Sequence, residues 1–187
     1  MNVGVLALQG AFARHGEVAA SLGASVTEVR RPGDLEAIDR LIMPGGESTT
    51  MSFLLESSGL FDAIQERITG GMPVFGTCAG MILLSTEILD GRDDQRCFGA
   101  IDLAVQRNAF GRQVDSFETP LPVEGLDAPF PAVFIRAPGV VRIGGEVDVL
   151  ASVDNRPVLC RQGPTMVAAF HPELSDDRRL HQLFLER

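Results

Sequence analysis

Residues 74–84 read VFGTCAGMILL, and this segment decides the fold. The apolar residues before Cys78 predict a buried strand, and those after it predict a helix that faces a core. The G-x-C-x-G arrangement between them is the cysteine counterpart of the nucleophile elbow, in which Gly76 and Gly80 permit a sharp turn and leave space beside the thiol. The following helix presents its positive end to Cys78, which favours a thiolate. The alternative is a buried cysteine that only packs.

The same strand-then-helix pattern recurs on both sides of this segment. Residues 3–8 and 41–43 are continuous apolar runs, which is typical of strands buried on both faces. Residues 11–22 and 61–68 have helical periodicity, and residues 167–170 return to a buried-strand pattern before a final helix. Strands that alternate with helices predict βαβ units and a parallel sheet. We therefore expect the α/β class, as a three-layer α/β/α sandwich.

The middle of the chain differs from the two ends. From residue 98 to 161, short β-rich runs alternate with Pro, Gly and Asn turns; these runs are residues 100–105, 133–136, 147–153 and 157–160. We interpret them as mixed or antiparallel strands added to the mainly parallel sheet. Since no Pro/Ser-rich linker separates the halves, we expect one domain over residues 1–187.

The composition excludes several classes of function. The formal net charge of −9 and the lack of a basic block argue against nucleic-acid binding. Three cysteines without C-x-x-C spacing indicate neither a disulfide framework nor a zinc site, so we expect no metal and a reducing, cytoplasmic location. The beginning of the chain shows no signal-peptide pattern, and the uncharged residues 68–86 contain too many Gly and Pro residues for a membrane span.

A cysteine nucleophile needs a base, and only three histidines are available. His171 follows the predicted strand at residues 167–170, so it should lie at the same sheet edge as Cys78. Pro172 favours an extended backbone, in which Glu173 projects to the same side as His171 and can orient its imidazole. As an isolated tripeptide, His-Pro-Glu is equally consistent with a helix start. We predict that His15 and His181, within helices, are surface residues.

Residues 43–50, MPGGESTT, form a glycine-rich loop between a strand and a helix. Backbone N–H groups at Gly46, together with the N–H of Ala79 beyond the cysteine, could form an oxyanion hole. The alternatives are a phosphate-binding loop or an ordinary turn. The loop has no Walker lysine, and the turn after the first strand lacks G-x-G-x-x-G, so nucleotide binding is poorly supported.

These elements together resemble the class I glutamine amidotransferases, which have a flavodoxin-like fold, and within them the glutaminase subunits of pyridoxal 5′-phosphate synthase (the PdxT/SNO family). The resemblance covers nearly the whole chain. The matching segments are residues 4–12 (GVLALQGAF), 44–50 (PGGESTT), 76–80 (GTCAG), 107–113 (RNAFGRQ), 116–118 (SFE), 134–138 (FIRAP) and 170–174 (FHPEL). The RNAFGRQ and FIRAP segments point to this particular family.

The resemblance implies hydrolysis of L-glutamine to glutamate and ammonia through a γ-glutamyl thioester on Cys78, with His171 and Glu173 completing the catalytic set. It also implies the residues that bind glutamine, which are Gly46, Glu47, Ser48, Arg107, Ile135 and Arg136. An amino acid presents a carboxylate and an ammonium group, which require cationic or N–H donors and an acceptor. From sequence alone, a surface salt bridge is the better-supported explanation for each arginine, and only the resemblance favours substrate binding by Arg107 and Arg136.

The resemblance further implies a partner, a separate (β/α)8-barrel synthase subunit that receives the ammonia. Pyridoxal phosphate would be the product of that complex, so we expect no bound cofactor. Two alternatives remain open at this point. One is a stand-alone cysteine hydrolase of the same fold, such as a γ-glutamyl hydrolase or peptidase. The other is a flavodoxin-like binding module in which Cys78 is only structural.

Overall fold

A computed structural model describes residues 1–107 and 116–186. The strands are β1 (Asn2–Leu6), β2 (Ser25–Val29), β3 (Arg40–Met43), β4 (Val74–Thr77), β5 (Ser85–Ile88), β6 (Ile101–Gln106), β7 (Phe117–Leu121), β8 (Phe130–Phe134), β9 (Gly139–Ile143), β10 (Asp148–Val153), β11 (Arg156–Gln162) and β12 (Thr165–Ala168). The helices are α1 (Phe12–Ser21), α2 (Ser48–Ser57), α3 (Leu60–Thr69), α4 (Ala79–Leu84) and α5 (Arg179–Leu185), with 3₁₀ helices at Pro32–Ala37 and Pro172–Leu174.

The central sheet has seven strands in the order β10-β11-β12-β4-β3-β1-β2. The five strands from β12 to β2 are parallel, and β11 and β10 extend the sheet with antiparallel pairing. Val5, Ile42, Phe75 and Met166 form one row across the four middle strands, and all four are buried. This sheet confirms the predicted mainly parallel architecture with added antiparallel strands.

Helices cover both faces of this sheet, as the two sides of β4 show. Side chains alternate between faces along a strand. The Phe75 ring packs against Phe184 of α5, and the Thr77 hydroxyl contacts His15 of α1. The intervening residue, Gly76, faces α4 instead. The layers α1/α5, sheet and α4 therefore make the predicted three-layer α/β/α sandwich.

The middle strands differ in part from the prediction that all of them extend the main sheet. Strands β10 and β11 do so, but β6 pairs with β5 and with β9 in a separate three-stranded sheet, and β7 and β8 form a two-stranded sheet. The reason is that β5 directly follows α4, whereas both edges of β4 are already paired with β3 and β12. The chain that leaves α4 has no free edge there, so β5 begins a new sheet.

The helices are short. The longest, α1, α2 and α3, have ten residues each, whereas a membrane-spanning helix needs about 20 apolar residues. In the described part of the chain, no helix is long and apolar enough to cross a membrane.

Parallel pairing brings the carboxyl ends of β3, β4 and β12 to the same edge of the sheet. The glycine-rich loop follows β3, Cys78 follows β4, and His171 lies three residues after β12. In open α/β sheets, the crevice outside the carboxyl ends of the strands is where ligands bind. The predicted site residues therefore meet where this fold class places its sites.

Close backbone contacts at Gly76 and Gly80 hold α4 against the sheet. A Cβ atom at Gly76 would lie 2.6 Å from the Gly80 carbonyl carbon and from Leu84 Cδ1. A Cβ atom at Gly80 would lie 2.1 Å from the Met43 carbonyl oxygen in β3. Only glycine lets α4 approach β3 and β4 this closely, which gives both glycines of the G-x-C-x-G pattern a packing role.

Gly80→Ala is expected to lower the free energy of unfolding by about 2 kcal/mol, because the added methyl group collides with the fixed Met43 carbonyl and forces α4 away. In an open helix the same change would stabilise. The matched control is Gly33→Ala, whose added Cβ has no heavy atom within 4 Å. Urea unfolding of both variants checks this. Equal midpoints for Gly80→Ala and Gly33→Ala would show that the contact is not a constraint.

Candidate active site

Cys78 occupies a strained turn between β4 and α4. Its backbone has φ 50° and ψ −104°, a combination that L-residues rarely adopt. Its N–H donates to the Ala168 carbonyl of β12 at 2.8 Å, which fixes the turn to the neighbouring strand. The residue is 6% exposed, so the thiol lies below the protein surface at the carboxyl edge of the sheet. The predicted strand–turn–helix geometry is present, and a backbone strained in this way is typical of functional sites.

His171 and Cys78 meet at Gly45, in the loop after β3. A Cβ atom at Gly45 would lie 2.5 Å from His171 Cε1 and 3.2 Å from Cys78 Cβ. The His171 N–H donates to the Val133 carbonyl of β8 at 2.8 Å, which anchors the backbone of the imidazole-bearing residue. The structure therefore brings together the cysteine, the histidine and the glycine-rich loop, as the sequence predicts.

Glu173 holds the imidazole from the other side. His171 Nδ1 lies 2.8 Å from Glu173 Oε1, which leaves Nε2 for the Cys78 side. The Glu173 side chain is fully buried, and that of His171 is 12% exposed. Pro172 and Glu173 belong to the 3₁₀ helix Pro172–Leu174, so the predicted extended backbone ends at His171 (φ −108°, ψ 86°). The predicted contact between the carboxylate and the imidazole is nevertheless present.

The pKa shifts of this pair indicate charged groups. Burial by itself would lower the pKa of His171, but hydrogen bonds and charge interactions with Cys78 and Glu173 outweigh it and raise the pKa to about 10. Burial would raise the pKa of Glu173, yet His15 and His171 hold it well below its usual range. At neutral pH the geometry therefore favours an imidazolium that is paired with a carboxylate and faces the thiol.

The glycine-rich loop is fixed by its own side chains. The Glu47 carboxylate caps α2 by accepting the N–H groups of Thr49 and Thr50 at 3.0 and 2.7 Å. Burial opposes this charge, but these hydrogen bonds lower the pKa of Glu47 to about 2. The Glu47 N–H donates to Gln9 Oε1 at 2.8 Å, and Ser48 is buried. The loop is thus held in one conformation, with Gly46 at the sheet edge.

Arg107 lies against this loop, as the resemblance implies. Its Nη1 donates to Thr49 Oγ1 at 2.7 Å and lies 3.9 Å from Glu47 Oε1. Its backbone N–H donates to Asp90 Oδ1 at 2.7 Å. The Arg107 side chain is 25% exposed, and its Nε lies 3.7 Å from Asp90 Oδ1. The structure therefore places Arg107 beside the glycine-rich loop, in ion pairs with Glu47 and Asp90.

Ile135 and Arg136, at the end of β8, are placed differently from each other. The Ile135 carbonyl lies 3.9 Å from Cys78 Sγ, so its main chain faces the thiol. Arg136 is exposed and has a left-handed backbone with φ 46°. The contact of this pair with the cysteine is thus made by a carbonyl group, which no side-chain pattern could have indicated.

His15 and His181 correct the sequence analysis, because both are fully buried and not at the surface. His15 Nε2 lies 3.2 Å from Glu173 Oε2, and His15 Nδ1 lies 2.9 Å from His181 Nε2. The signal that identifies them is helical periodicity. His15 shares a face of α1 with the buried Val18 and Ala19, and His181 shares a face of α5 with buried Phe184.

Two further expectations concern a metal site and the RNAFGRQ segment, and both depend on which residues the structure describes. Among residues 1–107 and 116–186, no group of three or more His, Cys, Asp or Glu side chains could hold a metal ion. Residues 108–113 of the RNAFGRQ segment lie outside the described residues. The arrangement at the sheet edge is chemically a thiol with a paired imidazole, suited to attack on an acyl carbon.

Comparisons with known proteins identify the family of this chain. The SNO glutamine amidotransferase family matches residues 5–187. The pyridoxal 5′-phosphate synthase subunit PdxT of Mycobacteroides abscessus is 55% identical over 98% of this chain and 95% of its own length. The subunit of the same name from Herpetosiphon aurantiacus is 54% identical over 99% of both chains. A solved structure described as a glutamine amidotransferase is 50% identical, covers 98% of this chain and 97% of its own, and has a TM-score of 0.93. The chain therefore belongs to the SNO glutamine amidotransferase family.

Proposed function

We propose that this protein is the glutaminase subunit of a pyridoxal 5′-phosphate synthase and that Cys78, His171 and Glu173 carry out its chemistry. The family and the synthase-subunit relatives support the activity. One observation supports the residue roles most strongly: Cys78, in a strained turn, faces an imidazole whose other nitrogen lies 2.8 Å from a buried carboxylate. The reaction converts L-glutamine and water to L-glutamate and ammonia.

In the first half of the proposed reaction, the Cys78 thiolate attacks the side-chain amide carbon of glutamine. The N–H groups of Gly46 and Ala79 stabilise the resulting oxyanion; Ala79 is the first residue of α4, so its N–H has no partner within the helix. The His171 imidazolium then protonates the amide nitrogen, ammonia leaves, and a γ-glutamyl thioester remains on Cys78.

The charge on the Cys78 sulfur determines when His171 gives up its proton. Part of the raised pKa of His171 comes from its interaction with Cys78. When the sulfur bonds to carbon, it loses its negative charge and this contribution disappears. The imidazolium then becomes more acidic and gives its proton to the leaving nitrogen. In the second half, the neutral imidazole removes a proton from water, which attacks the thioester and releases glutamate.

Glutamine recognition is proposed for the residues around the mouth of the site. The Glu47 carboxylate already caps α2, so it is not free to bind substrate. We therefore assign the substrate contacts of Glu47 and Ser48 mainly to the glycine-rich loop to which they belong. Arg107, half-buried beside this loop, is placed to meet a carboxylate. Ile135 contributes its main chain next to Cys78, and we assign substrate contact to Arg136, the exposed residue that follows it.

The partner and setting are part of the same proposal. The ammonia passes to a synthase subunit, which we propose is a (β/α)8-barrel protein, in a hetero-oligomer. We place the protein in the cytoplasm, where Cys78, Cys97 and Cys160, all free thiols, stay reduced. Residues 1–187 act as one glutaminase domain without a bound cofactor.

The stand-alone hydrolase is the weaker alternative. The relatives compared above carry the name of a synthase subunit, and they match over nearly their whole length. Glutamine turnover measured with and without the synthase subunit discriminates the two functions. A subunit depends on its partner for full activity, whereas a stand-alone hydrolase does not.

Cys78→Ala is expected to lower ammonia release from glutamine by roughly 10⁴-fold or more, because no other group can form the thioester. The matched control is Cys97→Ala, which removes a half-buried thiol at a distance from the site and should leave turnover within about twofold. Both variants are assayed with the synthase subunit present. Near-normal turnover by Cys78→Ala would refute the assigned nucleophile.

The proposed mechanism also predicts an alkaline limit to activity. Because the pKa of His171 is raised to about 10, its proton is present at neutral pH and is lost as pH rises through that value. Since the protonated imidazole is the required acid, kcat/KM for glutamine should fall above about pH 10 rather than near pH 6.5. A pH profile of kcat/KM measures this. An alkaline limb centred near pH 6.5 would contradict the charged pair.

A further inference from the structure

A second layer of buried polar groups lies behind Glu173, and the mechanism above does not use it. His15 of α1, Thr77 of β4 and His181 of α5 are each 0% exposed. His15 faces the carboxylate on the side opposite His171, and Thr77 and His181 each face His15. Histidines are rarely buried without a partner, and this pair lies where an uncompensated charge would be most costly.

The distances arrange these groups in a chain. Glu173 Oε1 faces His171, while Glu173 Oε2 lies 3.2 Å from His15 Nε2. The same nitrogen lies 3.3 Å from Thr77 Oγ1, its hydrogen-bond partner. Glu173 Oε2 makes no hydrogen bond of standard geometry among the described residues, so the nearby His15 nitrogen is the polar group that faces it. On the far side, His15 Nδ1 lies 2.9 Å from His181 Nε2.

Elementary proton accounting fixes the tautomers. An ionised carboxylate only accepts, so the contact with Glu173 is favourable when His15 carries a proton on Nε2. A neutral His15 then accepts at Nδ1 and requires a proton on His181 Nε2. The remaining atom, His181 Nδ1, has no hydrogen-bond partner among the described residues, and an unpaired buried acceptor is tolerated better than an unpaired buried N–H. Burial lowers the pKa of His181 to about 3, in keeping with a neutral ring.

We propose that His15 is a positioning residue for the glutaminase reaction: its Nε2–H holds the second oxygen of Glu173, and His181 holds His15 in the tautomer that does so. The relay then runs from Cys78 through His171 and Glu173 to His15 and His181. This inference rests on the proposed roles of Cys78, His171 and Glu173.

The physical reason lies in the burial of Glu173. Each of its two carboxylate oxygens faces an imidazole: Oε1 faces His171, and Oε2 faces His15. If His15 is absent, Oε2 loses the N–H that faces it. The carboxyl group then takes up a proton or turns, and either change weakens its hold on His171. Because His15 does not contact substrate, its loss should lower kcat for glutamine hydrolysis while KM stays nearly constant.

The test compares two amides at position 15. In His15→Gln the side-chain amide reaches the position of imidazole Nε2 and can still donate to Glu173. In His15→Asn the amide ends near the position of Nδ1, so it reaches His181 but not Glu173. The two variants are similar in polarity, and they differ in which neighbour they contact. A merely structural role for His15 would not rank them in this order.

Steady-state glutamine hydrolysis is measured for both variants with the synthase subunit present, together with thermal unfolding and the alkylation rate of Cys78. His15→Asn should lower kcat about ten- to a hundredfold with KM within about twofold, and His15→Gln should recover most of that loss. The variants should unfold at similar temperatures. If both retain wild-type kcat, or if both lose it equally, the inference is overturned.

Glu173→Gln separates this inference from the proposed function. If Glu173→Gln lowers kcat but His15→Asn does not, only the positioning role is wrong. If Glu173→Gln leaves kcat unchanged, Glu173 has no role in the reaction, and the inference about His15 falls with it. His181→Leu provides an independent check, because it should lower kcat less than His15→Asn does.

Discussion

The site depends on one buried charge, the carboxylate of Glu173. It has no contact with solvent, and histidines from two directions hold its pKa well below the usual range. A charge buried in this way is stable only when opposite charge and hydrogen-bond donors are fixed around it. His171 is one of those groups, and its pKa is raised by its contacts with Cys78 and with this carboxylate. The charged state that we propose for catalysis is therefore a consequence of how the chain packs around one carboxylate.

The parallel sheet makes this packing possible. Strands β3, β4 and β12 end at one edge, so segments that are far apart in sequence deliver a glycine-rich loop, a cysteine and a histidine to one place. The close approach of α4, permitted by Gly80, fixes the strained backbone of Cys78. Strain of this kind persists only where the surrounding structure determines it, and here the contact with the Met43 carbonyl and the hydrogen bond to Ala168 do so.

The sequence predicted those features that are local in the chain. The elbow at Cys78, the loop after β3 and the proximity of His171 to Glu173 each follow from short patterns together with the rule for parallel strand ends. The burial of His15 and His181 was not predicted, because a polar residue within a helix is assigned to the surface unless the face that carries it is known to pack against the sheet. The separate β5-β6-β9 sheet was missed for a related reason. A β-rich run in the sequence predicts a strand, but it does not determine which other strand it pairs with. The contact between the Ile135 carbonyl and Cys78 could not be predicted, because a main-chain group has no side-chain pattern that would indicate it.

The central claim is that Cys78 is the group that attacks the glutamine side chain. A glutamine analogue that carries a chloroketone in place of the amide tests it most directly, since it alkylates the attacking atom. Cleavage after arginine places Cys78, Cys97 and Cys160 in three different peptides, so mass spectrometry assigns the adduct without ambiguity. If Cys78 is the nucleophile, one adduct forms, on the peptide of Cys78, and excess glutamine prevents it. An adduct on Cys97 or Cys160 alone, or labelling of Cys78 that glutamine does not slow, would contradict this role of Cys78.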